Sequence, residues 1–162
     1  MTTEREPLKL RMMAKADWPL MEKWLNQAFI KRWLTEPESW LKEIRNEGGA
    51  FSWIRHFMAG LSGETIGFAQ YYECALTGDG QAWQNEAPGT FGIDYIIGRE
   101  ELIGRGLGKE LVGCICDLLI IEEKPAFIIA DPDPENAASI KSLIFNGFDL
   151  DPATSLYKKA VK

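Results

Sequence analysis

Histidine occurs once in this sequence, at His56, and cysteine three times, at Cys74, Cys114 and Cys116. A His/Cys metal centre draws on several such ligands at close spacing, so none is expected. The three cysteines lack the spacing of a secreted disulfide framework. Cys114 and Cys116 are two apart on an expected helix and point to different faces. No apolar run reaches the roughly 20 residues of a membrane span, and the polar opening MTTEREP does not read as a signal peptide. Basic charge is also scarce: 18 Lys and Arg stand against 24 Asp and Glu, a net charge of -6. Such a balance repels nucleic-acid phosphates and attracts cationic small molecules, though surface acidity also serves plain solubility. The expectation is a cytoplasmic protein with no metal, no membrane association and no nucleic-acid partner.

What is present is the composition of a globular domain. The chain has 162 residues, 46% hydrophobic and 26% charged, which fits one domain over residues 1–162. Residues 8–13 alternate as an opening strand. Asp17, Trp18 and Pro19 read as a helix start, and Trp18, Met21, Trp24, Leu25 and Ala28 continue at helical spacing. Pro37 opens a second helix, closed by Gly48 and Gly49. Residues 51–61 and 65–73 form a hairpin around Ser62-Gly63-Glu64. A long loop over 76–89 follows, then a strand over 90–98. A glycine-rich turn leads to a helix over 109–122, a buried strand over 125–130, a helix over 136–146 and a last strand over 156–161. The order βααββ, loop, βαβαβ implies a mixed α/β (α+β) sheet containing one βαβ crossover.

Chemistry first shows in the turn Ile103-Gly-Arg-Gly-Leu-Gly-Lys109. Glycines at 104, 106 and 108 permit positive φ and close approach of a ligand. The amides then converge at a helix N-terminus, where the dipole favours an anion, and Arg105 and Lys109 add positive charge. The spacing fits neither a Walker A loop nor a GxGxxG dinucleotide fingerprint. A plain glycine-rich turn is the competing reading.

With its flanks the segment resembles the GNAT acetyltransferases. IGRGLG (103–108) is similar to their (Q/R)xxGxG/A motif, with Ile103 where the family usually has Gln or Arg. DPDPENAASIKSLIFNGF (131–148) resembles their DPxxxNxxAIxxYxKxGF signature. Within the family the chain looks most like the aminoglycoside 6'-N-acetyltransferases. IGFAQYY (66–72), TGDG (77–80) with Trp83, GID (92–94) with GRGLGKELV (104–112), and ADPDPEN (130–136) match in order. The N-terminal third matches chiefly through Trp33.

The resemblance implies a central, mostly antiparallel twisted sheet of six to seven strands with about four helices, and acetyl-CoA as co-substrate without a metal. It implies that the amides of Gly104, Arg105, Gly106, Leu107, Gly108 and Lys109 hold the CoA pyrophosphate. The backbone of Tyr95, Ile96 and Ile97 would pair with the pantetheine arm, and Asn136 would lie near the thiol end. Asp94 would be the general base. Asp79 and Asp131 would receive a cationic substrate in a pocket lined by Trp33, Gln70, Tyr72 and Trp83. Leu143 stands where the family usually has a tyrosine acid, and Tyr157 is the nearest substitute by topology.

The residues themselves are compatible with that chemistry. Acetyl transfer from a thioester needs a neutral amine, hence a base. A carboxylate in an apolar strand, as Asp94 is between Ile93 and Tyr95, has a raised pKa through desolvation. The oxyanion needs a backbone N–H donor, which a bulged strand beside it supplies. Each residue also has an ordinary role: Asp79 as a turn former, Asp131 and Asn136 as helix caps, Trp33 and Trp83 as rim aromatics, His56 as a strand residue.

The expected function is acetyl-CoA-dependent N-acetylation of a primary amine on a cationic small molecule such as an aminoglycoside, by a monomer or homodimer. The alternatives are acylation of a polyamine, a siderophore precursor or a protein N-terminus, a non-catalytic acyl-CoA-binding module, and a glycine-rich α/β protein that binds no CoA.

Overall fold

The computed structural model describes residues 5–46, 49–78 and 80–162. Seven strands form one sheet in the order β1-β2-β3-β4-β5-β7-β6: β1 Lys9–Met12, β2 Ile54–Leu61, β3 Glu64–Glu73, β4 Thr90–Ile97, β5 Phe127–Ala130, β6 Asp149–Asp151 and β7 Leu156–Ala160. Among the described residues five α-helices accompany them: α1 Trp18–Leu25, α2 Ala28–Lys31, α3 Pro37–Arg45, α4 Leu107–Glu123 and α5 Ala137–Phe145. Among the described residues only β4 and β5 run parallel, joined by the crossover through α4.

Strand parity sorts the apolar side chains onto two faces. Phe57, Ala69, Tyr71, Ile93 and Ile97 face α4, which supplies Leu111, Val112, Ile115, Cys116 and Leu119 at helical spacing. Met58, Phe68 and Ile96 face the other way, onto Met21, Trp24 and Leu25 of α1 and Leu41 and Ile44 of α3. The Trp24 ring lies against Gly98, where an added Cβ would fall 2.1 Å from Cδ2.

Several boundaries differ from the sequence reading. The helical spacing from Trp18 to Ala28 is split between α1 and α2. Gln27 is extended and its side chain donates to the Gly98 carbonyl at 2.8 Å, tying the break to the end of β4. β2 begins at Ile54, after a turn in which Ile54 N–H bonds the Phe51 carbonyl. α4 starts at Leu107 because Gly106, at φ 78°, already serves as its N-cap. β6 was not expected: the short polar run Asp-Leu-Asp gains its strand character from pairing with β7. α3 ends at Arg45, with Asn46 in the left-handed conformation as its C-cap at φ 49°, ahead of the expected Gly48-Gly49 pair, of which Gly48 lies outside the described residues.

Asp17 occupies the N-cap position of α1 without capping it. Its carboxylate instead accepts two bonds from Arg11, at 2.8 and 2.7 Å, and one from the Ala14 amide at 2.8 Å. Arg11 holds the carboxyl below its usual range, opposed by burial and helped by the Ala14 amide. A depressed folded pKa stabilises above the unfolded carboxylate value and is lost as pH falls through the folded one. Asp17→Asn is therefore expected to lower unfolding free energy by about 2 kcal/mol at pH 7. In urea titrations the gap to wild type should close on acidification toward pH 3.

Candidate active site

The site forms where two neighbouring strands part. β4 and β5 pair through Thr90–Phe127, Phe91–Ile128 and Gly92–Ile129. β5 then ends at Ala130, ahead of Asp131-Pro132, while β4 runs on to Ile97, paired with β3 alone. The Gly98 amide bonds the Ile66 carbonyl at 2.8 Å. Antiparallel alternation from that bond turns the backbone groups of Ile93, Tyr95 and Ile97 toward the gap, whereas Ile96, expected among the gap-facing residues, turns its backbone to β3. The register of β4 on β3 is unbroken, so the bulge expected beside the base is absent from this strand. Its open amides arise from the departure of β5 instead.

A cavity of about 610 Å³ follows the gap, lined by Ile96 and Ile97 of β4, by Gly104, Gly106, Gly108 and Lys109, and by Phe29 and Trp33 from the α2 region. A smaller one of about 140 Å³ adjoins it and contains Asp94, Asp131 and Trp40. Trp33, Tyr95, Asn136 and Ser139 line both.

At the far end of the larger cavity, Gly104 and Gly106 take φ of 81° and 78°, with open space where a Cβ would stand. Among the described residues the amides of 104–109 find no hydrogen-bond acceptor, and the first helical bond is Glu110 N–H to the Gly106 carbonyl. Oriented amides at the head of the 17-residue α4 make an anion-binding concavity. Leu107 contributes its amide alone, since its side chain is buried in the core. Arg105 is exposed, and the Lys109 amine lies 5.0 Å over the Phe145 ring.

The smaller cavity is acidic. Asp94 lies on the face of the sheet that carries α1 and α3. Gln70, its partner on β3, donates to Asp94 Oδ2 at 2.9 Å. Burial pushes the Asp94 carboxyl up to about 6; the Gln70 bond opposes this and Asp131 adds to it. Burial also raises Asp131. Glu43 of α3 is raised by burial and by the charge of Asp94. Glu43 was missed in the sequence, where nothing ties α3 to β4. Among the described residues no group of three or more His, Cys, Asp and Glu is arranged to hold a metal ion.

Tyr72 is buried and its phenol is raised well above the ordinary value, by burial first and then by Asp94 and other acidic neighbours. Its ring lies against Gly92, where a Cβ would come 2.3 Å from Cζ. Trp83 leans on Tyr72, with centroids 5.6 Å apart, and donates from its indole to Thr77 Oγ1 at 2.7 Å. Gln70 and Tyr72 thus support the acidic cavity from behind. Asp79 lies outside the described residues.

Tyr95 points to the opposite face, where its hydroxyl meets Ser139 of α5. Asn136 caps α5 by accepting from the Ser139 amide at 3.2 Å, so its oxygen is engaged while it lines the gap. Leu143 is fully buried in the core. Tyr157, on β7 beside Ala130, packs on that core and is not among the residues lining either cavity.

Comparison with known proteins places this geometry. The family profile "Acetyltransferase (GNAT) domain" matches residues 13–156. The aminoglycoside N(6')-acetyltransferase type 1 of Klebsiella pneumoniae is 31% identical over 155 residues, covering 91% of this chain and 77% of that protein. A solved structure of AAC(6')-Ib with acetyl-CoA superposes with a TM-score of 0.83 at 28% identity, covering 96% of this chain and 94% of the other. A structure of the same enzyme with coenzyme A and kanamycin gives 0.82 at 28% identity, over 94% of each chain.

The Gln70 bond restrains the rise of the Asp94 pKa, so removing it has a definite sign. In Gln70→Leu the Asp94 titration, followed by carboxyl 13C NMR, is expected to move up from about 6 by about one unit. An unchanged or lower value contradicts the assignment.

Proposed function

The chain belongs to the GNAT acetyltransferase family, and we propose that it transfers the acetyl group of acetyl-CoA to the 6'-amine of an aminoglycoside, with Asp94 as general base. The observation that carries this reading is the Asp94 carboxylate, held by Gln70 at the point where β4 and β5 part, with the open amides of 104–109 at the other end of the same gap.

The parts divide the work as follows. The amides of 104–109 bind the CoA pyrophosphate, and the gap-facing backbone of Ile93, Tyr95 and Ile97 pairs with the pantetheine arm as a strand would. The acidic cavity receives the polycationic acceptor: Glu43 and Asp131 attract its ammonium groups, while Trp33 and Trp40 close the side walls. Asp94, ionised above about pH 6, takes the proton of the attacking amine directly or through a water. The nitrogen adds to the thioester carbonyl, the C–S bond breaks, and the sulfur leaves as thiolate on the α5 side. There Tyr95, kept protonated by burial and accepting from the hydroxyl of Ser139, one helical turn ahead of Leu143, donates a hydrogen bond to the departing sulfur.

A second reading, a module that binds acyl-CoA without turnover, is favoured by Leu143, which brings no hydroxyl to the family's tyrosine position. A thiol-release assay over aminoglycosides, polyamines and peptide amines separates the two. The proposal expects turnover to be greatest on aminoglycosides carrying a 6'-amine, with kcat/KM rising through about pH 6 to a plateau. Asp94→Asn should lower kcat by about 10²–10⁴ and leave acetyl-CoA affinity unchanged. Tight acetyl-CoA binding without turnover of any amine would favour the module.

A further inference from the structure

We propose that His56 is a positioning residue for the base, its imidazole fixing the Gln70 amide and thereby the hydrogen bond that Asp94 receives. The inference rests on the reading of Asp94 as general base. It starts from the sheet register. His56 of β2 stands opposite Gln70 of β3, and Gln70 stands opposite Asp94 of β4. The three side chains form one row across adjacent strands on one face, at the spacing where cross-strand neighbours touch. A register shift between Ala59 and Gly60 creates the row. Without it His56 would pair with Ala69 and point with that residue to the opposite face.

Two buried polar atoms in this row lack a partner: Nε2 of His56 and Oε1 of Gln70. Gln70 is 2% exposed, so solvent does not satisfy its oxygen. An amide presents either its NH2 or its oxygen to a neighbour. A carboxylate accepts only the NH2, which leaves the oxygen facing away from Asp94 and in need of a donor. A neutral imidazole has one N–H to give, and in the Nε2–H tautomer it is directed at that oxygen across the His56–Gln70 pair. Joining the two orphaned atoms, as the influence of Gln70 on His56 allows, gives His56 Nε2–H to Gln70 Oε1 and Gln70 Nε2–H to Asp94 Oδ2.

The imidazole stays neutral through the working range, since burial pushes His56 down to about 4 against a smaller opposing contribution from Gln70. Its ring is stacked on Phe68, with centroids 6.0 Å apart and planes at 26°, which fixes its plane. The other groups that bear on Asp94 are acidic or phenolic: Tyr72 on β3, Glu43 on α3, Asp131 after β5, and Tyr95 beside it. Gln70 is therefore the donor that holds Asp94 down, and an amide free to rotate would weaken that hold.

The test keeps the ring and removes the donor. In His56→Phe the Asp94 titration, followed by carboxyl 13C NMR, should rise by up to about one unit. The acid limb of kcat/KM should move with it, giving a loss of about fivefold at pH 6 and less at pH 8. His56→Asn, which restores a donor, should return both toward wild type. His56→Leu carries the same expectation as His56→Phe should the phenyl ring fail to fit. In a Gln70→Leu background the His56 substitution should add nothing. A folded His56→Phe protein with an unmoved Asp94 titration, or an additive shift in the double variant, overturns the proposal. If Asp94→Asn retained full turnover, the base assignment would fail separately, and the NMR titration would still decide whether His56 governs Asp94.

Discussion

The parting of β4 from β5 beyond the Gly92–Ile129 pair is the constraint on which the rest of the site depends. A strand inside a sheet normally satisfies its backbone groups on both sides, and leaving a stretch unpaired is costly unless something returns to fill it. β5 stops where Asp131-Pro132 leads the chain away toward α5. β4 continues because β3 still holds it and because Gly98 is clamped by the Trp24 ring and the Gln27 side chain. The resulting slot opens toward both layers of helices. Consecutive residues on β4 then point to opposite sides, Asp94 to the acidic cavity and Tyr95 to α5.

The acidic cavity holds an electrostatic tension that suits a polycation. Glu43, Asp94 and Asp131 are each pushed up, burial being the largest cause. Charge adds to burial at two of them, Asp131 acting on Asp94 and Asp94 on Glu43. An ammonium group placed among them would favour their ionised forms. The aromatic group of Tyr72, Trp53 and Trp83 closes the back of this region and limits the water that screens it.

Much of the fold was legible because its signals are local. The glycine spacing after β4 announced the turn and the helix, the apolar run before Asp131 announced β5, and the polar turn at Ser62-Gly63-Glu64 announced the β2–β3 hairpin, whose strand β3 already includes Glu64. The row of Gln70 and Asp94 required the register of β3 on β4, which the long loop between them leaves open. The row of His56 and Gln70 required a bulge at Ile66, opposite Ala59 and Gly60; the glycines beside it, Gly60 and Gly67, permit such a bulge without fixing its place. Glu43 reaches the site through packing of α3 on the sheet, a long-range contact with no local trace. The break between α1 and α2 was hidden because apolar periodicity carries across it, while the bond that enforces it comes from Gln27 to Gly98.

The central claim is that the turn over 104–109 and the unpaired edge of β4 form one continuous binding track for CoA. It is tested most directly by titrating 15N-labelled protein with coenzyme A and following backbone amide shifts. The account predicts saturable shifts concentrated in residues 104–109 and in Ile93, Tyr95 and Ile97, with loss of affinity in Gly106→Val. Saturable binding with these amides unmoved, or no binding at all, would contradict it.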